Sequence, residues 1–155
     1  MTTPTIKHIL LLIILTFLSA FCNAQTTLNT NERLVRGQSL INGAFRLTLQ
    51  DCNLVLYDNG NAIWTTNVFA KVSACSAVLQ DNGDLVVYLS NNQPMWRSNT
   101  AGAIASYYLT LQNDRNLVIY APGGTPIWAS NTQISMNGNM ANETVSNNQM
   151  ATKHA

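Results

Sequence analysis

Gln112, Asp114, Asn116, Val118 and Tyr120 stand at alternate positions in the segment LTLQNDRNLVIY, residues 109 to 120. In an extended chain alternate side chains share a face. A carboxylate accepts hydrogen bonds, carboxamides donate and accept, and a phenol does either; each hydroxyl of a pyranose does both, so the set suits an uncharged polyhydroxylated ligand with valine against its C–H surface. The set recurs. AVLQDNGDLVVY carries Gln80, Asn82, Asp84, Val86 and Tyr88, with Asp and Asn exchanged, and LTLQDCNLVLY carries Gln50, Asp51, Asn53, Val55 and Tyr57. Eight positions separate Gln from Tyr in the second and third copies, but seven in the first. A turn alone would account for Asp and Asn, which bond to nearby backbone groups. It does not require Gln and Tyr at matched places.

The elements that hold these residues read as hairpins. Leu85 to Tyr88 and Leu117 to Tyr120 are β-branched and aromatic runs bounded by turn residues. Asp81-Asn82-Gly83-Asp84 and Asn113-Asp114-Arg115-Asn116 separate pairs of apolar runs, and a second turn follows each tyrosine, at residues 58–61, 90–94 and 121–124. Gln therefore ends one strand and Val-x-Tyr lies in the next. The residue absent from the first copy shortens its turn, which leaves Gln50 a route to the site instead of flipping it to the opposite face. Each copy ends in Trp and a polar triplet, Trp64 to Asn67, Trp96 to Asn99 and Trp128 to Asn131, and the tryptophans are spaced by 32 residues twice. Such a period implies three equivalent units about a shared axis, with Trp64, Trp96 and Trp128 in the packing. The expected fold is all-β, three antiparallel sheets each built on one repeat, with residues 25 to 45 completing the first sheet.

Charge and cysteines narrow the chemistry. Eight basic and seven acidic residues in 155 give a net charge of +1 without runs of one sign, so nucleic acid and anionic membranes are poor partners. Residues 1–24 read as a signal peptide: a lysine, the apolar run Ile9 to Leu18, then Cys22-Asn23-Ala24. The apolar run is far short of the roughly 20 residues a membrane span needs, so membrane insertion is not expected. A secreted protein follows, extracellular or vacuolar, with one folded domain at 25–135 and a tail at 136–155 that reads as disordered or as a removed propeptide. The tail holds a glycosylation sequon at Asn142. Beyond residue 24 there are two cysteines, Cys52 and Cys75, and one histidine, His154. Two cysteines in a secreted chain suggest one disulfide, whereas a structural zinc site wants four Cys or His ligands; no metal or cofactor is expected. With no histidine before the tail and the carboxylates dispersed over separate repeats, a hydrolase is not expected either.

The chain resembles the bulb-type mannose-binding lectins of monocot plants over about residues 28 to 132. The resemblance rests on the Gln-x-Asp-x-Asn-x-Val-x-Tyr motif, the segment Asp51 to Asp58, the Trp-x-Ser/Thr-Asn echoes and the separation of Cys52 from Cys75. It implies a type II β-prism of three four-stranded sheets with pseudo-threefold symmetry, a Cys52–Cys75 disulfide, and up to three mannose sites per subunit. In the family Asp and Asn bind the axial O2 hydroxyl, Gln binds O3, Tyr binds O4, and Val packs on the ring. Glucose, with an equatorial O2, would leave those polar groups unpaired. Carried over residue by residue, this ranks the third site best, the second weakened by the Asn82/Asp84 exchange, and the first doubtful because its turn is short. Single sites this shallow bind in the region of ~1 mM. The implied partners are mannose-containing glycans, engaged by homodimers or homotetramers, in a plant-defence role; the alternative is a storage, taste-active or antifungal protein on the same fold with weak or lost mannose binding.

Overall fold

In a computed structural model, which describes residues 25–68, 70 and 74–135, each turn-bounded apolar run becomes one strand of a hairpin. The signal-peptide segment, the tail from residue 136 and the Asn142 sequon lie outside the described residues. Twelve strands follow in order: β1 (Thr27–Asn29), β2 (Arg33–Val35), β3 (Ser39–Asn42), β4 (Phe45–Gln50), β5 (Asn53–Asp58), β6 (Asn61–Thr65), β7 (Cys75–Leu79), β8 (Leu85–Leu89), β9 (Pro94–Arg97), β10 (Tyr108–Leu111), β11 (Leu117–Tyr120) and β12 (Pro126–Ala129). They form three four-stranded antiparallel sheets, β3-β4-β5-β6, β2-β7-β8-β9 and β1-β10-β11-β12. Each repeat supplies three consecutive strands of one sheet, as the period of the sequence requires.

The fourth strands correct one expectation. Residues 25 to 45 do not complete the first sheet alone: β1 pairs with β10, β2 with β7 and β3 with β4, so the segment gives an edge strand to every sheet. The physical reason is visible in Leu28, Leu34 and Leu40, six residues apart, each the inward residue of its strand and at most 3% exposed. Three separate sheets each lack one strand to cover the core, and one leucine on each short strand closes one of them. Ile41, by contrast, is 39% exposed and lies outside the core.

Alternation along the inner strands fills the interior. In β4 and β5, Leu47, Leu49, Leu54 and Leu56 are completely buried, and Leu79, Leu85, Leu111 and Leu117 repeat the pattern in the other sheets. The tryptophans sit opposite inward residues, Trp64 across from Leu56, Trp96 from Val87 and Trp128 from Ile119. Their rings meet pairwise edge-to-face, with centroids 5.6 to 6.0 Å apart and interplanar angles of 73 to 80°. That is the favoured arrangement for aromatic quadrupoles. The three are half-buried and pack against the buried cluster. Beside each tryptophan the ladder slips by one residue, at Ile63, Met95 and Ile127, so each sheet carries a β-bulge next to the tyrosine of its motif.

Cys52 and Cys75 are bonded, tying the turn after β4 to the start of β7 and hence the first sheet to the second. A tighter constraint lies at Gly83, whose φ is +85° and whose missing Cβ would stand 2.6 Å from the buried Tyr107 ring. The Tyr107 hydroxyl is fixed by donating to the Ala103 carbonyl at 2.8 Å, so the ring cannot retreat freely. Gly83→Ala is expected to cost about 2–3 kcal/mol through left-handed strain and overpacking together, read as a lowered Tm.

Candidate functional site

The five motif residues do not share a single extended strand. In the third copy Gln112 follows β10, Asp114 is in the turn, and Asn116, Val118 and Tyr120 run into and along β11. Hairpin pairing brings them together: the Gln112 amide donates to the Asn116 carbonyl at 2.9 Å, and the Gln112 Nε2 donates to the Tyr120 hydroxyl at 2.8 Å. The second copy repeats both contacts, Gln80 N to Asp84 O and Gln80 Nε2 to Tyr88 at 2.9 Å. This bond aims the phenol and leaves its hydrogen for another acceptor.

The residue before β8 or β11 has a second duty. The Asn116 Oδ1 accepts from Ser130 Oγ at 3.1 Å and Thr132 N at 3.3 Å; Asp84 Oδ1 accepts from Ser98 Oγ at 3.0 Å and Thr100 N at 3.3 Å. Asn53 Oδ1 accepts from Thr65, Thr66 and Val68 in the same way. The middle residue of each triplet, Thr66, Ser98 or Ser130, also accepts from the backbone N–H of the leucine after that Asn or Asp, Leu54, Leu85 or Leu117. Asn67, Asn99 and Asn131, which end the triplets, hold φ of 54 to 59° and turn the chain away. The Trp-x-Ser/Thr-Asn echo therefore anchors the motif's Asn or Asp.

These anchors make the Asp/Asn exchange unsymmetrical. In the third copy Asp114 Oδ1 accepts from Asn116 N at 2.9 Å, so one Asp114 oxygen and the Asn116 amide group remain for a ligand: an acceptor beside a donor. In the second copy Asn82 Oδ1 makes the same turn bond to Asp84 N at 3.1 Å, and the remaining group of Asn82 is a donor. The Asp84 side chain is 2% exposed, and its Oδ2 lies 3.6 Å from the Arg97 guanidinium. Arg97 is paired in register with Val86, and Val86 is completely buried. The polar pair offered to a ligand is thus reversed and half occupied, and an arginine is the valine's cross-strand neighbour. The triple variant Asn82→Asp/Asp84→Asn/Arg97→Ala is expected to raise second-site affinity for methyl mannoside about tenfold, the worth of one recovered charge-assisted hydrogen bond. Calorimetric titration would show it as an added site.

The first copy keeps its face but alters its contents. The turn between β4 and β5 is the pair Asp51-Cys52 with φ of 47° and 63°, a two-residue hairpin of the type I′ class. Gln50 pairs with Asn53 across it, so Gln50, Asn53, Val55 and Tyr57 lie on the outward face, and the shortened turn has not flipped the glutamine. Gln50 makes no bond to Tyr57 among the described residues; Arg46, opposite Tyr57, lies over its ring at 5.3 Å from the centroid. Asp51 is exposed and paired with Arg36 at 3.1 Å. Val55 and Val118 are 4% and 3% exposed, so the valines form the floor of their sites more than an open platform.

Two groups stand beside the third site. Arg115, at the turn position with φ +63°, donates to Thr132 O at 2.8 Å and to Asp58 Oδ2 at 2.9 Å, clamping this turn to the end of β5. A shallow groove of about 580 Å³ runs from Thr26 and Asn42 past Gln112 to Asp114. Among the described residues no group of three or more His, Cys, Asp or Glu could hold a metal ion.

No protein-family profile matches the sequence. Solved structures do. Monomeric monocot mannose-binding lectins from Gastrodia elata align with 44% identity and a TM-score of 0.68, over 71% of this chain and 100% of theirs. The snowdrop (Galanthus nivalis) mannose-specific agglutinin, solved with methyl-α-D-mannoside, aligns with 43% identity and a TM-score of 0.61, over 72% and 100%. Curculin-2 from Molineria latifolia is 36% identical over 86 residues, 54% of each chain. The match spans about half the length of the curated relatives.

Proposed function

The chain belongs to the monocot mannose-binding lectins, a family of non-enzymatic carbohydrate-binding proteins, and from that premise we propose that it is a secreted defence lectin whose third site takes terminal mannose. One observation carries this reading. The third copy alone combines the Gln112–Tyr120 bond with an uncommitted acceptor at Asp114 and an uncommitted donor at Asn116. Asp114 and Asn116 take the axial O2 hydroxyl, Gln112 the O3 and Tyr120 the O4, over the floor made by Val118. A hydroxyl at O2 that points elsewhere leaves both Asp114 and Asn116 without partners, which sets mannose apart from glucose. The groove past Gln112 and Asn113 gives room for the next residue of an oligosaccharide.

One site of this depth is weak, so useful binding needs several sites on one glycan surface. Association into dimers or tetramers supplies them, although the Gastrodia relatives are monomeric. The test is retention on immobilised mannose and elution by methyl mannoside; passage through a dense column without retention would sink the proposal. A second reading, the same fold with mannose binding lost, is favoured by Arg97 beside Asp84 and Arg46 over Tyr57. It predicts that failure to bind.

A further inference from the structure

Four arginines approach the three sites, and three of them are neutralised, Arg36 by Asp51 at the first site. Arg97 at the second site faces the buried Asp84, and Arg115 at the third is paired with Asp58. Arg46 at the first site makes no ion pair among the described residues. Its cross-strand neighbours on the outward face are Ile41 and Tyr57, so neither adjacent strand brings it an acid. Asp58, next to Tyr57, is spent on Arg115, and Asp51 is held by Arg36. The Tyr57 ring fixes the guanidinium from below at 5.3 Å while its outer side remains exposed.

The rest of the first site is short of acceptors in the same sense. Its aspartate has left for Arg36, the Asn53 Oδ1 is consumed by the Thr65–Val68 segment, and what Asn53 presents is an amide donor. Gln50 and the Tyr57 hydroxyl, which make no bond to one another among the described residues, can each donate as well as accept. With Asp51 withdrawn and Asn53 presenting only its amide, a guanidinium that makes no ion pair among the described residues favours a ligand that brings a negative charge.

We infer that the first site takes a carboxylate-bearing pyranose, a hexuronic acid, with Arg46 binding the carboxylate in a bidentate pair. The inference rests on the lectin reading for the placing of the ring. With O4 at the tyrosine, the neighbouring C6 substituent points along the Tyr57–Arg46 row, where the second and third copies have Ser76 and Tyr108 in place of arginine. The guanidinium is what distinguishes this site from its two siblings.

The experiment compares methyl α-D-mannoside with its C6-oxidised uronate, following backbone amide shifts around Tyr57, Tyr88 and Tyr120. The uronate is expected to shift the amides near Tyr57 and to bind there about tenfold more tightly than the mannoside, the scale of one charge-assisted pair. Added salt weakens that binding, since Arg46 is exposed. Arg46→Gln removes the preference for the uronate; mannoside binding at the third site in the same variant shows that the fold is intact. Uronate binding that Arg46→Gln does not change would overturn the inference. So would mannoside binding at Tyr120 with no uronate response at Tyr57, an outcome that leaves the lectin reading standing. Absence of both responses removes both readings.

Discussion

Asp114→Ala is expected to lower third-site affinity for methyl mannoside by at least tenfold and to end retention on a mannose column. On the proposed reading the carboxylate is split between two tasks: Oδ1 caps the turn by accepting from Asn116 N at 2.9 Å, and the other oxygen is left to accept from a sugar hydroxyl. A hydrogen bond to a charged group contributes about 1.5–3 kcal/mol, which is a factor of ten or more in affinity. Truncation to alanine removes both tasks, so a second variant must separate them. Asp114→Asn keeps the cap, as Asn82 does in the second copy at 3.1 Å, and changes only the group facing the ligand. Titration calorimetry on both variants decides the matter. If the asparagine variant binds as well as the parent, Asp114 is a turn residue and the assignment of O2 to it is lost. Equal losses in the two variants place the effect on the ligand-facing oxygen.

The hairpins, the three sheets and the tryptophan cluster were legible because their signals are local or periodic. A 32-residue repeat of the largest side chain needs no knowledge of pairing, and a turn such as Asp81 to Asp84 is written in four consecutive residues. The edge strands were harder. Leu28, Leu34 and Leu40 carry a six-residue period, but strands of three or four residues have too few alternations to announce themselves, and only the missing fourth strand of each sheet tells where they go. The candidate site was legible along the chain and illegible across it. Gln, Asn, Val and Tyr appear as a motif because they recur, whereas Arg46 and Arg97 occupy positions filled by other residues in the other copies. Register could have found Arg46: counting back from a two-residue turn at Asp51-Cys52 puts it opposite Tyr57. The anchoring of Asn53, Asp84 and Asn116 by the triplet after each tryptophan depends on contacts 12 to 16 residues away in sequence, which no spacing within the motif reveals.

Loss of the disulfide, in Cys52→Ala/Cys75→Ala, is expected to destabilise the domain by about 3 kcal/mol, the chain-entropy value for a loop of some two dozen residues. For a domain of this size that lowers Tm by roughly 10 °C. The Cα atoms are 5.5 Å apart, within the usual range for a bridge, and the bond spans 23 positions that connect the first sheet to the second. Its effect on binding should be uneven. Cys52 is completely buried and is the second residue of the first copy's turn, at φ 63°, so losing the bond releases the hairpin that carries Gln50 and Asn53. The third site's turn is held elsewhere, by Arg115 to Asp58 and Thr132, and should keep its affinity at temperatures well below the transition. Replacing Cys52 by glycine instead separates the bond from the backbone: glycine accepts the left-handed conformation, and Cys52→Gly/Cys75→Ala should recover about 1 kcal/mol relative to the double alanine. Thermal unfolding of the two variants, with methyl mannoside titrated at low temperature, measures each part. A loss under 1 kcal/mol would mean that the short turn is fixed by its strand pairing alone, and that Cys52 contributes nothing to the geometry of the first site.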